Sequence, residues 1–339
     1  MEKTLSCENR LVVAESSSCY NPRTMPEPLI ETSDLTKRFG SFTAVDGANL
    51  RVAPGEILVL LGPNGAGKTT TIRLLASILR PSQGWARVAG YDVVKEAIQV
   101  RRRIGLLTEH HGLYTRMQAS EYLSFFGSAY GLDALGIRQR SQALLKDFGL
   151  EAPDNLRLGH YSKGMRQKLA LVRSLLHDPP VLLLDEPTSA MDPASARLVR
   201  ESIARLRSAE RALVVSTHNL GEAEILADHI AIIRRGRVIV QGTAEQLRRQ
   251  FLGDPIMELR LARPVDGGLS YLPPDTRAVA VGPDWVRFQT SHPEKHNPRV
   301  LGAMAQANVP VLTLSEVGRS LEEVYLEVVR RFEQDGSGQ

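Results

Sequence analysis

Gly62-Pro63-Asn64-Gly65-Ala66-Gly67-Lys68-Thr69-Thr70 decides how the chain folds. The run Ile57 to Leu61 just before it is continuously apolar and predicts a short buried strand. After it, Thr71-Ile72-Arg73-Leu74-Leu75-Ala76 has the apolar spacing of a helix start. Strand, glycine-rich turn, Lys-Thr and helix together fit G-x-x-x-x-G-K-[ST], the P-loop. The residue types follow from the chemistry of a polyphosphate. Glycines accept positive φ, so successive backbone N–H groups can converge on phosphate oxygens. A helix N-terminus adds unpaired donors and partial positive charge. Lys68 is expected to reach the outer phosphates, and the Thr69 hydroxyl to ligate Mg²⁺.

At 339 residues the chain can bury a full core and is expected to form two domains. Hydrophobic residues make up 42%, and no apolar run approaches the ~20 residues needed to span a bilayer. Any membrane role must therefore pass through a partner. The net charge of +4 is mild and comes from scattered arginines such as Arg101-Arg102-Arg103, so charge does not argue for a nucleic-acid partner. The two cysteines, Cys7 and Cys19, leave no disulfide framework or metal-ligand set in the body, which fits a reducing cytoplasm. Leu11 to Ala14 is too short for a signal-peptide core. Residues 1–26, with three successive serines, read as a disordered tail, and Met25 is a candidate translation start.

Strands are expected at Leu29–Leu35, Ala48–Val52, Arg87–Ala89 and Ile104–Leu107. From Ala119 to about Phe148 the pattern turns helical, with Tyr122, Phe125, Phe126 and Tyr130 read as core packing of a helical subdomain at about 110–176. Met165–Leu176 predicts a helix ended by Asp178-Pro179-Pro180. Val181–Leu184, Ala212–Ser216 and Ile230–Ile233 read as strands covered on both faces, alternating with helices at Ala196–Arg207 and Leu220–Ala227. That alternation predicts an α/β core over 27–247. Residues 248–339 predict a small α+β domain: strands at Ile256–Leu261, Ala278–Val281 and Trp285–Thr290, helices at Val300–Gln306 and Leu321–Phe332. The P-loop occurs once, so the chain holds one nucleotide-binding unit.

Two further stretches carry chemistry. Leu182-Leu183-Leu184-Asp185-Glu186 sets two carboxylates at the end of a buried strand. Asp185 is expected to hold Mg²⁺ and Glu186 to polarise an attacking water as general base. Tyr161-Ser162-Lys163-Gly164-Met165-Arg166-Gln167 offers a hydroxyl, a glycine and a helix N-terminus, an arrangement suited to an anion.

Over roughly Leu29 to Gly242 the chain resembles the ATP-binding subunits of ABC transporters. The resemblance implies a P-loop NTPase core of ABC type with a helical subdomain, followed here by the small α+β domain. It implies ATP and Mg²⁺ as ligands and an ATPase activity. Phe39 matches the aromatic that stacks on adenine, Ser162 and Gly164 match the signature loop, and Asp185 and Glu186 match Walker B and its glutamate. Ser189-Ala190-Met191-Asp192 matches the D-loop, and His218 the switch histidine at the γ-phosphate. Cofactor contacts are thus expected from Phe39, Gly62, Pro63, Asn64, Gly65, Ala66, Gly67, Lys68, Thr69, Thr70, Ser162 and Gly164. Catalysis is expected from Lys68, Glu186 and His218, and Mg²⁺ ligation from Thr69, Asp185 and Glu109. Two departures stand out: Glu109 occupies the Q-loop glutamine position, and the signature reads Tyr-Ser-Lys-Gly-Met.

In this family the signature of one subunit closes over the P-loop of another, so the resemblance implies a homodimer or heterodimer sandwiching two ATP molecules. It also implies separate transmembrane permease subunits and a peripheral place on the cytoplasmic face of the membrane. Leu321-Glu322-Glu323-Val324-Tyr325-Leu326 is similar to a segment of the drug, antibiotic and polysaccharide export branch. Export is therefore the expected direction; the alternatives are an importer ATPase or a soluble ABC ATPase acting on ribosomes or DNA.

Overall fold

The computed structural model describes residues 27–108, 112–150, 156–189, 191–264 and 271–336. The described residues open with β1 (Ile30–Phe39), β2 (Phe42–Ala48) and β3 (Arg51–Val52). The expected single strand over Ala48–Val52 is broken at Asn49, whose side chain accepts from the Asp34 N–H and donates to the Gly47 carbonyl. Next come β4 (Ile57–Leu61), α1 (Lys68–Leu75), β5 (Gln83–Val88), β6 (Tyr91–Asp92), α2 (Ala97–Arg103) and β7 (Ile104–Leu107). β4 and β7 keep the bounds read from sequence, because uninterrupted apolar runs leave no ambiguity of face. Helix α2 has no counterpart among the expected elements, because Val100 is its one buried residue and it has almost no apolar stripe.

The helical stretch is two helices, α3 (Ala119–Ala129) and α4 (Ala134–Asp147). Gly131 takes φ +83° between them, and the Asp133 side chain accepts from the Gly136 N–H to start the second. Helix α5 (Lys163–Leu175) begins at Ser162. Then β8 (Val181–Asp185), α6 (Pro193–Arg205), β9 (Ala212–Thr217), α7 (Leu220–Leu226), β10 (His229–Arg234), β11 (Arg237–Gly242) and α8 (Ala244–Leu252) complete the larger body.

Its central sheet runs β11-β10-β4-β9-β8-β7, parallel except for β11. Side chains alternate between two cores. Ile57, Val59, Leu61, Leu182, Leu184, Leu213 and Val215 face α3, α5, α6 and α7 residues in one cluster. Leu58, Leu60, Leu183, Val214 and Ala231 face α1 and the β1–β2–β5 sheet in the other. Both faces are covered, which is why these strands lack polar alternation. At the strand ends Leu61 stands opposite Thr217 and Asp185 opposite Ser216, so β4, β9 and β8 finish side by side within one residue. Loops leaving those ends therefore meet, the usual position of a site in a parallel sheet.

The remaining chain forms β12 (Ile256–Leu261), β13 (Arg277–Val281), β14 (Trp285–Gln289), α9 (Pro293–Gln306), β15 (Val311–Glu316) and α10 (Leu321–Gly336). Its antiparallel sheet, β13-β14-β12-β15, has a small core of Met257, Leu259, Phe288, Val300 and Met304. Helix α9 starts at Pro293, seven residues earlier than the spacing suggests, because proline is well tolerated at the first helical position. Helix α10 does not join this core. Leu321, Val324 and Val328 are buried with the larger body, and Glu333 pairs with Arg234. Among the described residues no helix is long and apolar enough to cross a membrane.

One buried titratable group predicts a pH dependence. His177 stacks on Tyr130 at 3.7 Å, bonds the Ile104 carbonyl through Nε2, and leaves Nδ1 buried with no partner. Burial is the main cause that pushes its imidazole from 6.5 down to about 4. The unfolded chain takes up a proton across that window and the folded chain refuses it. Stability from this group is thus present above pH 6.5 and lost as pH falls toward about 4. His177→Phe should show a shallower fall in urea midpoint over that window; equal slopes would count against it.

Candidate functional site

β4 delivers the chain into a loop where glycine is required at two points. A Cβ on Gly62 would lie 2.3 Å from the Ile233 carbonyl oxygen. Gly67 has φ +111°, and a Cβ there would lie 2.5 Å from the Ala44 oxygen. Gly67 is also the N-cap of α1 and offers no side-chain cap, so the first helical N–H groups stay available for an anion. The loop is held from outside: the Gly236 N–H donates to the Ala66 carbonyl at 2.9 Å, and Asp46 N–H to the Gly236 carbonyl at 2.9 Å.

Lys68 is 5% exposed. Its ammonium donates to the Gly62 and Pro63 carbonyls at 2.7 and 3.1 Å and lies 3.5 Å from Glu186 Oε1. Thr69 Oγ1 donates to Asp185 Oδ1 at 3.1 Å, and Ser216 Oγ donates to the same oxygen at 2.5 Å. Thr69 and Asp185 are hard oxygen donors in contact beside the P-loop. That set suits Mg²⁺, which takes one or two protein oxygens and fills its octahedron with water and phosphate. A larger cluster of three or more His, Cys, Asp or Glu is absent among the described residues. Glu109 lies outside the described residues, as do the tail 1–26 and Ala190.

Glu186 follows β8 with φ +49°, a left-handed conformation that costs a non-glycine residue about 1–2 kcal/mol. Its N–H donates to both the carbonyl and the hydroxyl of Ser216, each at 3.1 Å. Gln167, 2% exposed on α5, donates through Nε2 to the Glu186 and Pro187 carbonyls at 3.1 and 3.0 Å. His218 Nδ1 donates to the Glu186 carboxylate at 2.9 Å, which fixes the orientation of the ring and leaves Nε2 outside that bond. The carboxylate thus sits between an ammonium and an imidazole.

Asn64 to Thr70, Glu186, Ser189 and His218 line one cavity of about 490 Å³. A second, of about 330 Å³, shares Asn64 and His218, includes Gly62 and Pro63, and is bounded by Tyr325 of α10. The segment Leu321–Leu326 thus reaches the P-loop, a placement nothing in its sequence announces. Phe39 is 48% exposed at the end of β1, with Lys37 Nζ 5.1 Å from its ring centroid. It does not line the phosphate cavity; Phe42, its cross-strand partner, does.

Ser162 and Gly164 lie elsewhere. Ser162 caps α5 by accepting from the Met165 N–H at 3.1 Å, and both residues line a cavity of about 260 Å³ with Met191 and Asp192. No residue is shared between this cavity and the P-loop cavity. Within one chain Ser162 and Gly164 therefore lie apart from the P-loop.

Sequence reading missed Phe42, Gln167, Ser216, Thr188, Thr217 and Glu222. Only Glu222 carried a signal, and it misleads: Asn219-x-x-Glu222 before a helix reads as a capping box.

A family model described as ABC transporter matches residues 45–189. The chain is 42% identical over 224 residues to the ABC transporter ATP-binding protein NatA of Bacillus subtilis, covering 65% of this chain and 91% of that protein. It is 38% identical over 303 residues to the daunorubicin resistance ATP-binding protein DrrA3 of Streptomyces coeruleorubidus, covering 89% and 93%. A solved structure titled as the ATP binding subunit of an ABC transporter superposes with a TM-score of 0.62 at 32% identity, covering 66% of this chain and 94% of that one.

Proposed function

Because the chain belongs to the family of ABC transporter ATP-binding subunits, we propose that it binds and hydrolyses ATP to power a separate membrane permease, in the direction of export. The export direction rests on a relative named for daunorubicin resistance that covers almost the whole chain. The ATP-binding domain begins at 27, has a helical subdomain at about 110–176 and runs to the end of α8, five residues past the boundary at 247 expected from sequence; the accessory part is the β12–β15 sheet with α9, and α10 returns to the larger body. The permease fixes the protein to the cytoplasmic face of the membrane. The rings of Tyr114 and Phe125, each 51% exposed on the helical subdomain, are the apolar surface we assign to that contact.

The chemistry divides among the residues already in contact. Lys68 and the α1 N-terminus hold the outer phosphates of ATP. Thr69 and Asp185 are the residues that would hold Mg²⁺, whose contribution is to neutralise charge on the phosphates. Glu186 accepts the proton of the water that attacks the γ-phosphorus, and the bond to the ADP oxygen breaks. His218 holds the Glu186 carboxylate in place and presents Nε2 to the site.

The observation that carries a dimer is the separation of the two half-sites. A second copy must supply Ser162 and Gly164 to the P-loop of the first, an isologous arrangement that makes two sites. Mixing tests it. Lys68→Ala and Ser162→Arg should each be inactive alone. A mixed dimer of the two regains one complete site, so an equal mixture should recover roughly a quarter of the wild-type rate. A mixture as inactive as its components would remove the shared site. Co-sedimentation of the chain with ribosomes, with none in a membrane fraction beside its permease, would overturn the transporter reading.

A further inference from the structure

Glu222 sits in the first turn of α7, where a glutamate ordinarily turns back to the N-cap N–H. Here that N–H, of Asn219, is already taken by Thr217 Oγ1 at 3.0 Å. The Glu222 carboxylate points inward instead and is 3% exposed. Each of its oxygens accepts one hydroxyl: Oε1 from Thr188 at 2.8 Å and Oε2 from Thr217 at 2.6 Å. Thr188 lies two residues after Glu186, and Thr217 immediately precedes His218. One buried carboxylate therefore bridges the two loops whose side chains meet at 2.9 Å. Burial pushes its carboxyl pKa up, and the two threonine hydroxyls oppose that shift. Keeping a carboxylate in so dry a place is costly unless its oxygens are hydrogen-bonded, and here each has a hydroxyl partner.

We infer that Glu222 is a positioning residue for hydrolysis: by holding Thr188 and Thr217 it sets the spacing of Glu186 and His218. It acts on turnover and leaves nucleotide binding to the P-loop, whose residues it does not touch. This rests on the ATPase reading above. A misplacement of about 1 Å at reacting groups can cost on the order of 10²-fold in rate, so a small loop shift is enough.

The test measures kcat, the Kd for a fluorescent ATP analogue and thermal midpoint for Glu222→Ala, Glu222→Gln, Thr188→Val and Thr217→Val. Glu222→Ala and both valine variants should lose about tenfold or more in kcat with Kd within about twofold of wild type. Glu222→Gln keeps an acceptor and gains a donor that can meet the second threonine oxygen, so it should restore kcat to within about threefold of wild type. Glu222→Ala combined with Thr188→Val should be no slower than Glu222→Ala alone, since the same bridge is broken. If Glu222→Ala does not fold, the valine variants decide. Unchanged kcat in both folded valine variants overturns the inference. So does a kcat loss matched by loss of nucleotide binding, or a Glu222→Gln variant as slow as Glu222→Ala. A wild-type protein without Mg²⁺-dependent ATPase would instead overturn the functional reading itself.

Discussion

Replacing Glu186 with Gln should slow ATP turnover by about 10²–10⁴-fold while ATP still binds, the range set by loss of a positioned general base. The substitution keeps size and shape. It also keeps φ +49° at the position, because that conformation is imposed by the Ser216 and Gln167 contacts to the backbone. What disappears is the proton acceptor. An amide oxygen also draws less on Lys68, 3.5 Å away, so the ammonium is freer to meet phosphate. Binding should therefore hold or tighten, and the protein should accumulate as an ATP-bound dimer, visible as a doubled mass by light scattering. Turnover equal to wild type would remove Glu186 from the catalytic role. Loss of ATP binding together with turnover would instead mark it as part of the phosphate cradle.

The second large effect is expected from Lys68→Ala. Lys68 is 5% exposed, and its ammonium is engaged by two carbonyls and Glu186. Those partners hold it at the mouth of the helix N-terminus, so little ordering remains to be done when phosphate arrives. Charge-assisted contacts contribute about 1.5–3 kcal/mol each, and two of them imply ATP binding weakened roughly 10²-fold or more. Lys68→Arg should not rescue, because a planar guanidinium does not fit a pocket formed around a compact ammonium. Calorimetric titration with ATP measures both. An affinity within about threefold of wild type for Lys68→Ala would sink the assignment.

The fold was readable where a run of side chains had one possible environment. Ile57–Leu61 and Val181–Leu184 are apolar at every position and short, with Gly or Pro at their flanks, which fits a strand buried on both faces. Reading failed where the buried stripe was thin. Helix α2 buries Val100 alone, and β15 has no fully buried residue, with only Val311 and Leu314 half-buried in its small sheet. The stripe of aromatics at Tyr122, Phe125 and Phe126 reads as core, yet only Tyr122 is fully buried and Phe125 is half exposed. Helical spacing says which residues share a face, and does not say how much of that face is covered.

The candidate site divides the same way. By itself the sequence determined that a polyphosphate binds: the P-loop works through its own backbone N–H groups and glycine conformations, which are local properties of nine consecutive residues. It also determined the chemical types available, the carboxylates Asp185 and Glu186 and the imidazole of His218. Only the tertiary structure decided that these meet, because β4, β8 and β9 end side by side in a sheet whose order is not the chain order. Only it separated Ser162 from Lys68 into two cavities, and brought Tyr325 from the far end of the chain to the P-loop. And only it placed the Glu222 carboxylate as a bridge between Thr188 and Thr217. The physical reason is common to all three: a hydrogen bond or a cavity wall joins residues adjacent in space, and adjacency across a parallel sheet is set by strand packing, which local sequence does not encode.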